Sequence, residues 1–333
     1  MAYIFLARRQ RLTPACPAEE SRLNGARNMI ETFLQPLPHG ISLSCRATGE
    51  RGRPVLMFLH GFPEAAFVWD FMLAHFARPE NGGYRCVAPN LRGFEHSDAP
   101  FEVSAYRPKH LVQDIAALIA LETLQPGGQL ACLVAHDWGG AVAWSLANQL
   151  PHLIVKLAIV NSPHPGTFLR ELKSNPAQQA ASAYMNFLIR PDAEQLLAQD
   201  DYRRLWQFFS SAKGDQPALW LTDEVKSQYR AVWAAGLHGG CNLYRASPLR
   251  PPRPGDPAAA ALDLPHSMLT VSVPTLVVWA LDDIALPPVL TLGLDEYVTH
   301  LTLHTVPAAS HWIVHEQPEL LADLLQQYLL SNK

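Results

Sequence analysis

The chain has 333 residues, of which 48% are hydrophobic and 17% charged, so it is long enough to bury a large core. Its formal net charge of -4 gives no reason to expect nucleic acid or an anionic membrane as a partner. Five widely spaced cysteines without a C-x-x-C pair favour reduced thiols over a disulfide framework or a zinc site. No stretch has the roughly 18 uninterrupted apolar residues of a membrane helix. We therefore expect a cytoplasmic protein.

The N-terminal segment differs from the rest of the chain. Residues 1–28 show no hydrophobic periodicity and carry a basic cluster at Arg8, Arg9 and Arg11 behind a short apolar piece, the reverse of a secretory signal. We predict that residues 1–28 form a loose tail and that the folded part begins at Met29.

Short apolar runs alternate with helical patterns up to residue 162. Strands are predicted over residues 41–47, 54–60, 84–89, 130–135 and 154–160. Helices are predicted to end near Ala77, to cover residues 109–124, and to run from Gly140 to Leu150, where Pro151 stops the last one.

The alternation then stops for about a hundred residues. Residues 163–265 hold many of the aromatic residues on helix-like segments, and residues 248–257 are too rich in proline for helix or strand. We predict a helical cap over residues 163–265, inserted into a core formed by residues 29–162 and 266–333.

Alternation resumes after the predicted cap. A strand over residues 275–279, a helix from about Pro288, a strand over 301–306 and a closing helix over 318–330 complete the pattern. Strands that alternate with helices predict an α/β fold, with a mostly parallel sheet flanked by helices. In such sheets ligands bind at the carboxyl ends of the strands. Asp137, Asp283, His311 and the loop at Phe62 each follow a predicted strand, so we expect them to converge.

Asp137 lies between a predicted strand and a predicted helix. Ala135 and Gly139 stand two residues on either side of it, which is the small-x-nucleophile-x-small pattern of a nucleophile elbow with Asp in the place of the usual Ser. The central residue of such a turn needs positive φ, which Asp tolerates better than most residues. The alternative is an ordinary strand-to-helix turn with Asp137 as the N-cap.

The order Asp137, Asp283, His311 corresponds to nucleophile, acid and histidine of a catalytic triad. An aspartate is ionised at neutral pH and needs no base to attack, so the histidine can activate water in a second step. Attack by a carboxylate on a saturated carbon forms an ester that water can cleave, which points to epoxides or halides as substrates. The neighbouring Asp282 is the alternative acid, or a helix cap or surface charge.

Hydrolysis of such an ester passes through a tetrahedral oxyanion, which requires hydrogen-bond donors. The backbone N–H of Trp138, directly after the nucleophile, is one candidate. The second is the N–H of Phe62, because Pro63 in the same loop has none.

Three sequence motifs resemble those of a known family. These motifs are His60–Glu64 (HGFPE), His136–Gly140 (HDWGG) and Ser310–Trp312 with Glu316–Pro318 (SHW…EQP). Their order and spacing resemble those of the α/β-hydrolase-fold epoxide hydrolases from roughly Pro38 to the C-terminus. The resemblance implies an α/β-hydrolase fold with an inserted cap, and a small apolar epoxide and water as reactants. The residues themselves suggest no nucleotide site, and no cofactor is expected. Ala135 stands where the family often has Gly, and Asn90, Glu95 and Ala280 also depart from its usual pattern.

The same resemblance implies two cap tyrosines that bind and protonate the epoxide oxygen. The segments around Tyr184 and Tyr244 resemble those of the family, although Leu243 stands where an aromatic residue is usual. The substrate is then expected to contact Phe62, Trp138, Tyr184 and Tyr244. Tyr184 and Tyr244 could instead be core aromatics of the cap, and Tyr202 and Tyr229 are then the reserve candidates for the acid.

Other functions remain open at the level of the sequence. A haloalkane or haloacetate dehalogenase would use the same triad, and a non-catalytic ligand-binding protein could share the fold. The i, i+4 pair His311 and His315 resembles a zinc pair, but the glutamate of the zinc motif is missing between them, so metal binding is not expected.

Overall fold

A computed structural model describes residues 30–124, 127–209 and 218–331. The predicted tail, residues 1–28, lies outside this part of the chain. Among the described residues, eight strands form one sheet in the order β1-β2-β4-β3-β5-β6-β7-β8. Its strands are β1 Glu31–Pro36, β2 Ser42–Thr48, β3 Val55–Leu59, β4 Arg85–Pro89, β5 Cys132–His136, β6 Leu157–Val160, β7 Thr275–Ala280 and β8 Leu301–Val306.

The sheet is mostly parallel, as the alternation of strands and helices predicted. Only the pairings of β1 with β2 and of β2 with β4 are antiparallel, and all pairs from β4 to β8 are parallel. Strand β1 was not predicted, because as an exposed edge strand it has no buried run of side chains.

Helices cover both faces of the sheet. Alternate side chains of β3 point to opposite faces, so Met57 and Leu59 join one apolar cluster and Leu56 and Phe58 the other. The first cluster includes α2 (Pro108–Glu122) and α3 (Trp138–Gln149), and the second includes α1 (Asp70–Phe76) and α11 (Pro318–Leu330). Burial on both faces explains why β3, β4 and β5 are apolar almost throughout.

The described residues between β6 and β7 are mainly helical, and we call them the inserted segment (residues 161–209 and 218–274). Its α-helices are α4 Pro165–Ser174, α5 Pro176–Ala181, α6 Tyr184–Leu188, α7 Ala193–Phe208, α8 Asp223–Ala235 and α9 His238–Ala246, with a break in α7 at residues 199–202. The indole N–H of Trp233 donates to the carbonyl oxygen of Pro63 at 2.7 Å, and this hydrogen bond connects α8 to the loop after β3. Whether this segment folds as a separate domain stays a prediction.

Two helix predictions were wrong in detail. No α-helix starts at Pro288; instead the chain forms two 3₁₀ turns, Pro288–Thr291 and Leu294–Glu296. Between the turns Gly293 takes φ +76°, a left-handed conformation that ends a helix. The helix before Ala77 is likewise divided into a 3₁₀ turn, Ala66–Trp69, and α1. The short α10, Ile313–Glu316, precedes α11. None of the described helices is long and apolar enough to cross a membrane.

The contact between α3 and β3 gives a test of the fold. A Cβ at Gly139 would lie 2.4 Å from the carbonyl oxygen of Leu59, which is backbone and cannot move aside easily. We expect Gly139→Ala to lower the free energy of unfolding by about 1–3 kcal/mol, the usual range for overpacking. Gln149→Ala, at an exposed site on the same helix, is the control and should leave the denaturant midpoint within error. An unchanged midpoint for Gly139→Ala would contradict the close contact.

Candidate active site

The turn between β5 and α3 holds Asp137 in a strained conformation. Asp137 has φ +48° and ψ -120°, in agreement with the positive φ expected of an elbow. A Cβ on Gly61 would lie 2.3 Å from Oδ1 of Asp137, and one on Gly140 would lie 2.3 Å from the side chain of Ser162. Only glycine therefore lets the neighbouring loop and strand approach this turn so closely.

The carboxylate of Asp137 does not cap its helix. Although Asp137 occupies the N-cap position of α3, its side chain makes no hydrogen bond there. Its Oδ1 instead accepts the backbone N–H of Phe62 at 2.8 Å, and its Oδ2 lies 3.7 Å from Nε2 of His311. The simple N-cap interpretation therefore does not describe this aspartate.

The two backbone donors predicted for this carboxyl group belong to Phe62 and Trp138. The N–H of Phe62 already touches it, and Trp138 opens α3, where the first N–H groups have no acceptor within the helix. Of the two donors predicted from the sequence, the N–H of Phe62 thus binds the carboxyl of Asp137, and the role of the Trp138 N–H stays a prediction.

His311 contacts Asp283 and not Asp282. Nδ1 of His311 lies 2.7 Å from Oδ2 of Asp283. The Asp283 carboxylate also accepts the Nδ2 group of Asn161 at 2.8 Å and the backbone N–H groups of Ala285 and Leu286 at 2.9 and 2.8 Å. Burial favours the protonated form of Asp283, but the charge of His311 and these donors outweigh it and lower the pKa of this carboxyl. Asp283 is therefore ionised and orients the imidazole.

The charges around His311 favour its protonated form. Burial lowers the pKa of this imidazole, but the carboxylates of Asp283, Asp137 and Glu64 outweigh burial and raise the pKa to about 9. In the free protein at pH 7, His311 therefore carries a proton.

A second polar group supports the backbone of the His311 loop. Nε2 of His136 lies 2.9 Å from the carbonyl oxygen of His311, and Nδ1 of His136 lies 3.2 Å from the fully buried carboxylate of Glu64. The other oxygen of Glu64 accepts the hydroxyl of Tyr229 at 2.8 Å and lies 2.7 Å from Nε2 of His315. These contacts lower the pKa of Glu64 against the effect of its burial.

Tyr184 and Tyr244 face the carboxylate from the inserted segment. Tyr184 lies on α6 and Tyr244 on α9, their ring centroids are 6.1 Å apart, and both line the cavities that reach Asp137. Burial, together with nearby negative charge, raises the pKa of both phenols well above the usual range. Both side chains are therefore protonated and able to donate.

The two reserve tyrosines lie elsewhere. Tyr202 packs against Trp233 with ring centroids 5.3 Å apart, and the hydroxyl of Tyr229 donates to Glu64. Neither lines a cavity at Asp137. The structure thus brings together the predicted site residues Asp137, Asp283, His311, Tyr184, Tyr244 and the backbone of Phe62 and Trp138. The carboxylate that contacts the histidine is that of Asp283 and not that of Asp282.

The sequence interpretation missed three residues that support the site: Glu64, Asn161 and Ser162. Asn161 holds Asp283, and the hydroxyl of Ser162 donates to the carbonyl oxygen of Asp137 at 2.7 Å. Both follow directly after β6, so the rule that placed the other site residues at strand ends could have found them. Glu64 gave no such signal, because its role depends on contacts with three distant segments.

The described residues contain no group of three side chains suited to hold a metal ion. His315 does not turn toward His311 as a zinc pair would; its Nε2 contacts Glu64 and its ring stacks on Trp220 with centroids 4.1 Å apart.

Comparisons with known proteins agree with the fold. A family model described as alpha/beta hydrolase fold matches residues 54–318. AB hydrolase superfamily protein YfhM of Bacillus subtilis is 33% identical over 297 residues, 88% of this chain and 96% of that protein. Epoxide hydrolase 4 of Mus musculus is 32% identical over 326 residues, 95% of this chain and 82% of that protein.

Solved structures of epoxide hydrolases are also similar to this chain. An epoxide hydrolase from metagenomes of hot environments has a TM-score of 0.78 at 34% identity and covers 91% of this chain and 99% of its own. The Bacillus megaterium epoxide hydrolase in complex with an inhibitor has a TM-score of 0.76 at 26% identity, covering 90% and 100%.

The electrostatics of His311 give a test. Because the charge of Asp137 contributes to the raised pKa of about 9, Asp137→Asn should lower the pKa of His311, measured by NMR titration of the imidazole. Asp295→Asn is the matched control, because Asp295 is an exposed carboxylate in the 3₁₀ turn Leu294–Glu296. We expect it to leave the titration of His311 nearly unchanged.

The same pKa affects stability. A raised folded-state pKa stabilises the protein below the unfolded pKa of about 6.5, and this contribution is lost as the pH rises through about 9. The wild type should therefore lose more stability between pH 7 and 10 than Asp137→Asn; an equal loss would contradict the coupling between Asp137 and His311.

Proposed function

The chain is an enzyme of the epoxide hydrolase family within the α/β-hydrolase fold, and we propose that it opens small apolar epoxides to vicinal diols through an ester on Asp137. The observation that carries this proposal is the carboxylate of Asp137, which accepts the N–H of Phe62 and faces His311 on one side and two buried phenols on the other.

In the first step, a carboxylate oxygen of Asp137 attacks a carbon of the epoxide ring. The C–O bond of that carbon breaks, and the ring oxygen takes the proton of Tyr184 or Tyr244. An alkoxide is a poor leaving group, so this protonation lowers the barrier. The products are an alkyl ester on Asp137, a free hydroxyl on the neighbouring carbon and a phenolate.

Ester formation changes the state of His311. Asp137 loses its negative charge, which is one of the causes that raise the pKa of the imidazole. His311 then gives up its proton, which returns to the phenolate. The histidine becomes a base only when the intermediate is present.

In the second step, neutral His311 takes a proton from water, whose oxygen attacks the carboxyl carbon of the ester. The backbone N–H groups of Phe62 and Trp138 stabilise the resulting oxyanion. Collapse of the tetrahedral intermediate breaks the bond to the diol oxygen, which takes the proton of the new carboxyl group. Asp137 is again ionised and His311 again protonated.

The two phenols favour an epoxide over a halide. A halide leaves without a proton and needs only hydrogen-bond donors, whereas an epoxide oxygen needs a proton from an acid. Dehalogenation remains the alternative for this triad, and a panel of haloalkanes and haloacetates scored for halide release tests it. We expect no release.

The covalent step is tested by a single turnover of an aryl epoxide in ¹⁸O-water. Because water attacks the ester carbonyl, the label should appear in the peptide that contains Asp137 and not in the diol, as measured by mass spectrometry. Asp137→Asn should form no diol. Label confined to the diol would show direct attack by water and overturn the ester mechanism.

The role of the phenols is tested with Tyr184→Phe and Tyr244→Phe. Each change should slow formation of the ester about tenfold, because the other phenol remains, and the double variant should lose about 10²-fold or more, the usual effect of a lost general acid. The measurement is the rate of ester formation in stopped flow. Tyr202→Phe, outside the cavities, is the matched control and should retain the wild-type rate.

A further inference from the structure

The first turn of α9 lies directly against two loops of the core. A Cβ on Gly239 would lie 2.3 Å from the Cα and from the carbonyl oxygen of Gly93, in the loop after β4. A Cβ on Gly240 would lie 2.7 Å from the ring of Phe62, in the loop after β3. The contact of Gly239 with Gly93 is one of backbone with backbone. Helix α9 therefore comes closer to the core here than a helix with a side chain at this position could.

Hydrogen bonds hold α9 against the same part of the core. Nε2 of His238 lies 3.0 Å from the carbonyl oxygen of Ala99, and Nδ2 of Asn242 donates to the carbonyl oxygen of Phe101 at 3.2 Å. A carbonyl oxygen only accepts hydrogen bonds, so the imidazole of His238 is the donor in its contact. His238 and Asn242 are four residues apart on the helix, so one face of α9 is attached to the chain that follows β4.

The same short helix contains Tyr244. Tyr244 comes four residues after Gly240, so the two residues lie on the same side of α9. The ring of Phe62 is the nearest neighbour of Gly240, and its centroid is 5.4 Å from that of Tyr244. Because Gly239 and Tyr244 are only about one and a half turns apart on one helix, a shift of the first turn also moves the phenol.

A methyl group at Gly239 would cause such a shift. Non-bonded carbon atoms pack at about 3.5–4.0 Å, so a Cβ that would start 2.3 Å from Gly93 needs about 1 Å more room. The atoms that it meets belong to a loop in which Gly93 takes φ +89° and its N–H donates to the carbonyl oxygen of Asp98 at 3.0 Å. We expect the helix, rather than this hydrogen-bonded loop, to move and to take Tyr244 with it.

On the basis of the proposed function, we propose that Gly239 and His238 are positioning residues for the opening of the epoxide ring, because together they set the distance from the hydroxyl of Tyr244 to the ring oxygen. Gly239 determines how closely α9 approaches the core, and His238 holds the helix there. Neither residue lines a cavity at Asp137, so both act through Tyr244 and not by contact with the substrate. Proton transfer requires a donor within about 2.6–3.2 Å of its acceptor, so this distance matters for the first step.

The first arm of the test compares the two steps of the reaction in Gly239→Ala, by stopped flow with an aryl epoxide. Formation of the ester should slow about tenfold, the effect expected for complete loss of Tyr244 while Tyr184 remains. Hydrolysis of the ester depends on His311 and should stay within about twofold of the wild-type rate. Alanine favours a helix more than glycine does, so unwinding of α9 would not explain the result. Equal slowing of both steps would overturn the inference.

A double-mutant cycle tests whether Gly239 acts through Tyr244. When Tyr244→Phe is already present, adding Gly239→Ala should change the rate of ester formation by less than about twofold. A further tenfold loss in that background would overturn the inference. Gly166→Ala, on α4, is the matched control, because there the new Cβ would meet the ring of Tyr297 and not backbone. It should leave the rate of ester formation unchanged.

His238 gives a second test that adds no volume to the contact. His238→Ala removes the hydrogen bond to Ala99, and we expect ester formation to slow about threefold, because a small misplacement of a reacting group is costly. His238→Gln keeps an N–H donor and should recover most of the wild-type rate. Thermal melting verifies that each variant is folded. A wild-type rate of ester formation in His238→Ala would overturn the role of His238.

The outcomes separate the two proposals. No turnover of any epoxide by the wild type would overturn the proposed function and this inference with it. Turnover by the wild type, with ester formation equally fast in a folded Gly239→Ala variant, would overturn the inference alone.

Discussion

The close approach of the β3 loop to the turn at Asp137 is the constraint on which the site depends. A side chain at Gly61 would collide with the carboxylate, and one at Gly139 would collide with the backbone of β3. Because both positions are glycine, the N–H of Phe62 reaches the carboxylate at 2.8 Å. The hydroxyl of Ser162 holds the carbonyl oxygen of Asp137 at 2.7 Å, so the strained turn is fixed from two sides. A donor bound to the nucleophile before the reaction requires no rearrangement when the oxyanion forms.

The same close packing places several negative charges around the imidazole of His311. Three acids, Asp137, Asp283 and Glu64, act on one imidazole, and Asp283 and Glu64 are almost fully buried. Buried carboxylates are tolerated only when they are hydrogen-bonded. Asp283, for example, accepts hydrogen bonds from Asn161 and from two backbone N–H groups. The imidazole therefore responds to the charge of Asp137, the one acid of the three that the proposed reaction neutralises. The electrostatics of the resting site thus follow from the same packing that holds the turn.

Much of this could be predicted from the sequence, for physical reasons. Strands buried on both faces are continuous apolar runs, so β3 to β7 were recognised, and chemistry at their carboxyl ends follows from the parallel arrangement. The exposed edge strand β1 has no such apolar run and was not predicted. The turns at residues 288–296 were mistaken for a helix, because hydrophobic periodicity carries no information on the left-handed backbone of Gly293. The role of Glu64 could not be predicted, because it depends on contacts that only the folded chain creates.

The position of the phenols follows from the direction of the reaction. Displacement at a saturated carbon places the nucleophile and the leaving oxygen on opposite sides of that carbon. The sheet brings Asp137, Asp283 and His311 to one edge, so an acid that protonates the leaving oxygen must come from across the cavity. The inserted segment occupies that side and contributes Tyr184 from α6 and Tyr244 from α9. The core supplies the carboxylate and the histidine, but the opening of an epoxide in the proposed reaction requires both parts of the chain, held together at Trp233 and Pro63.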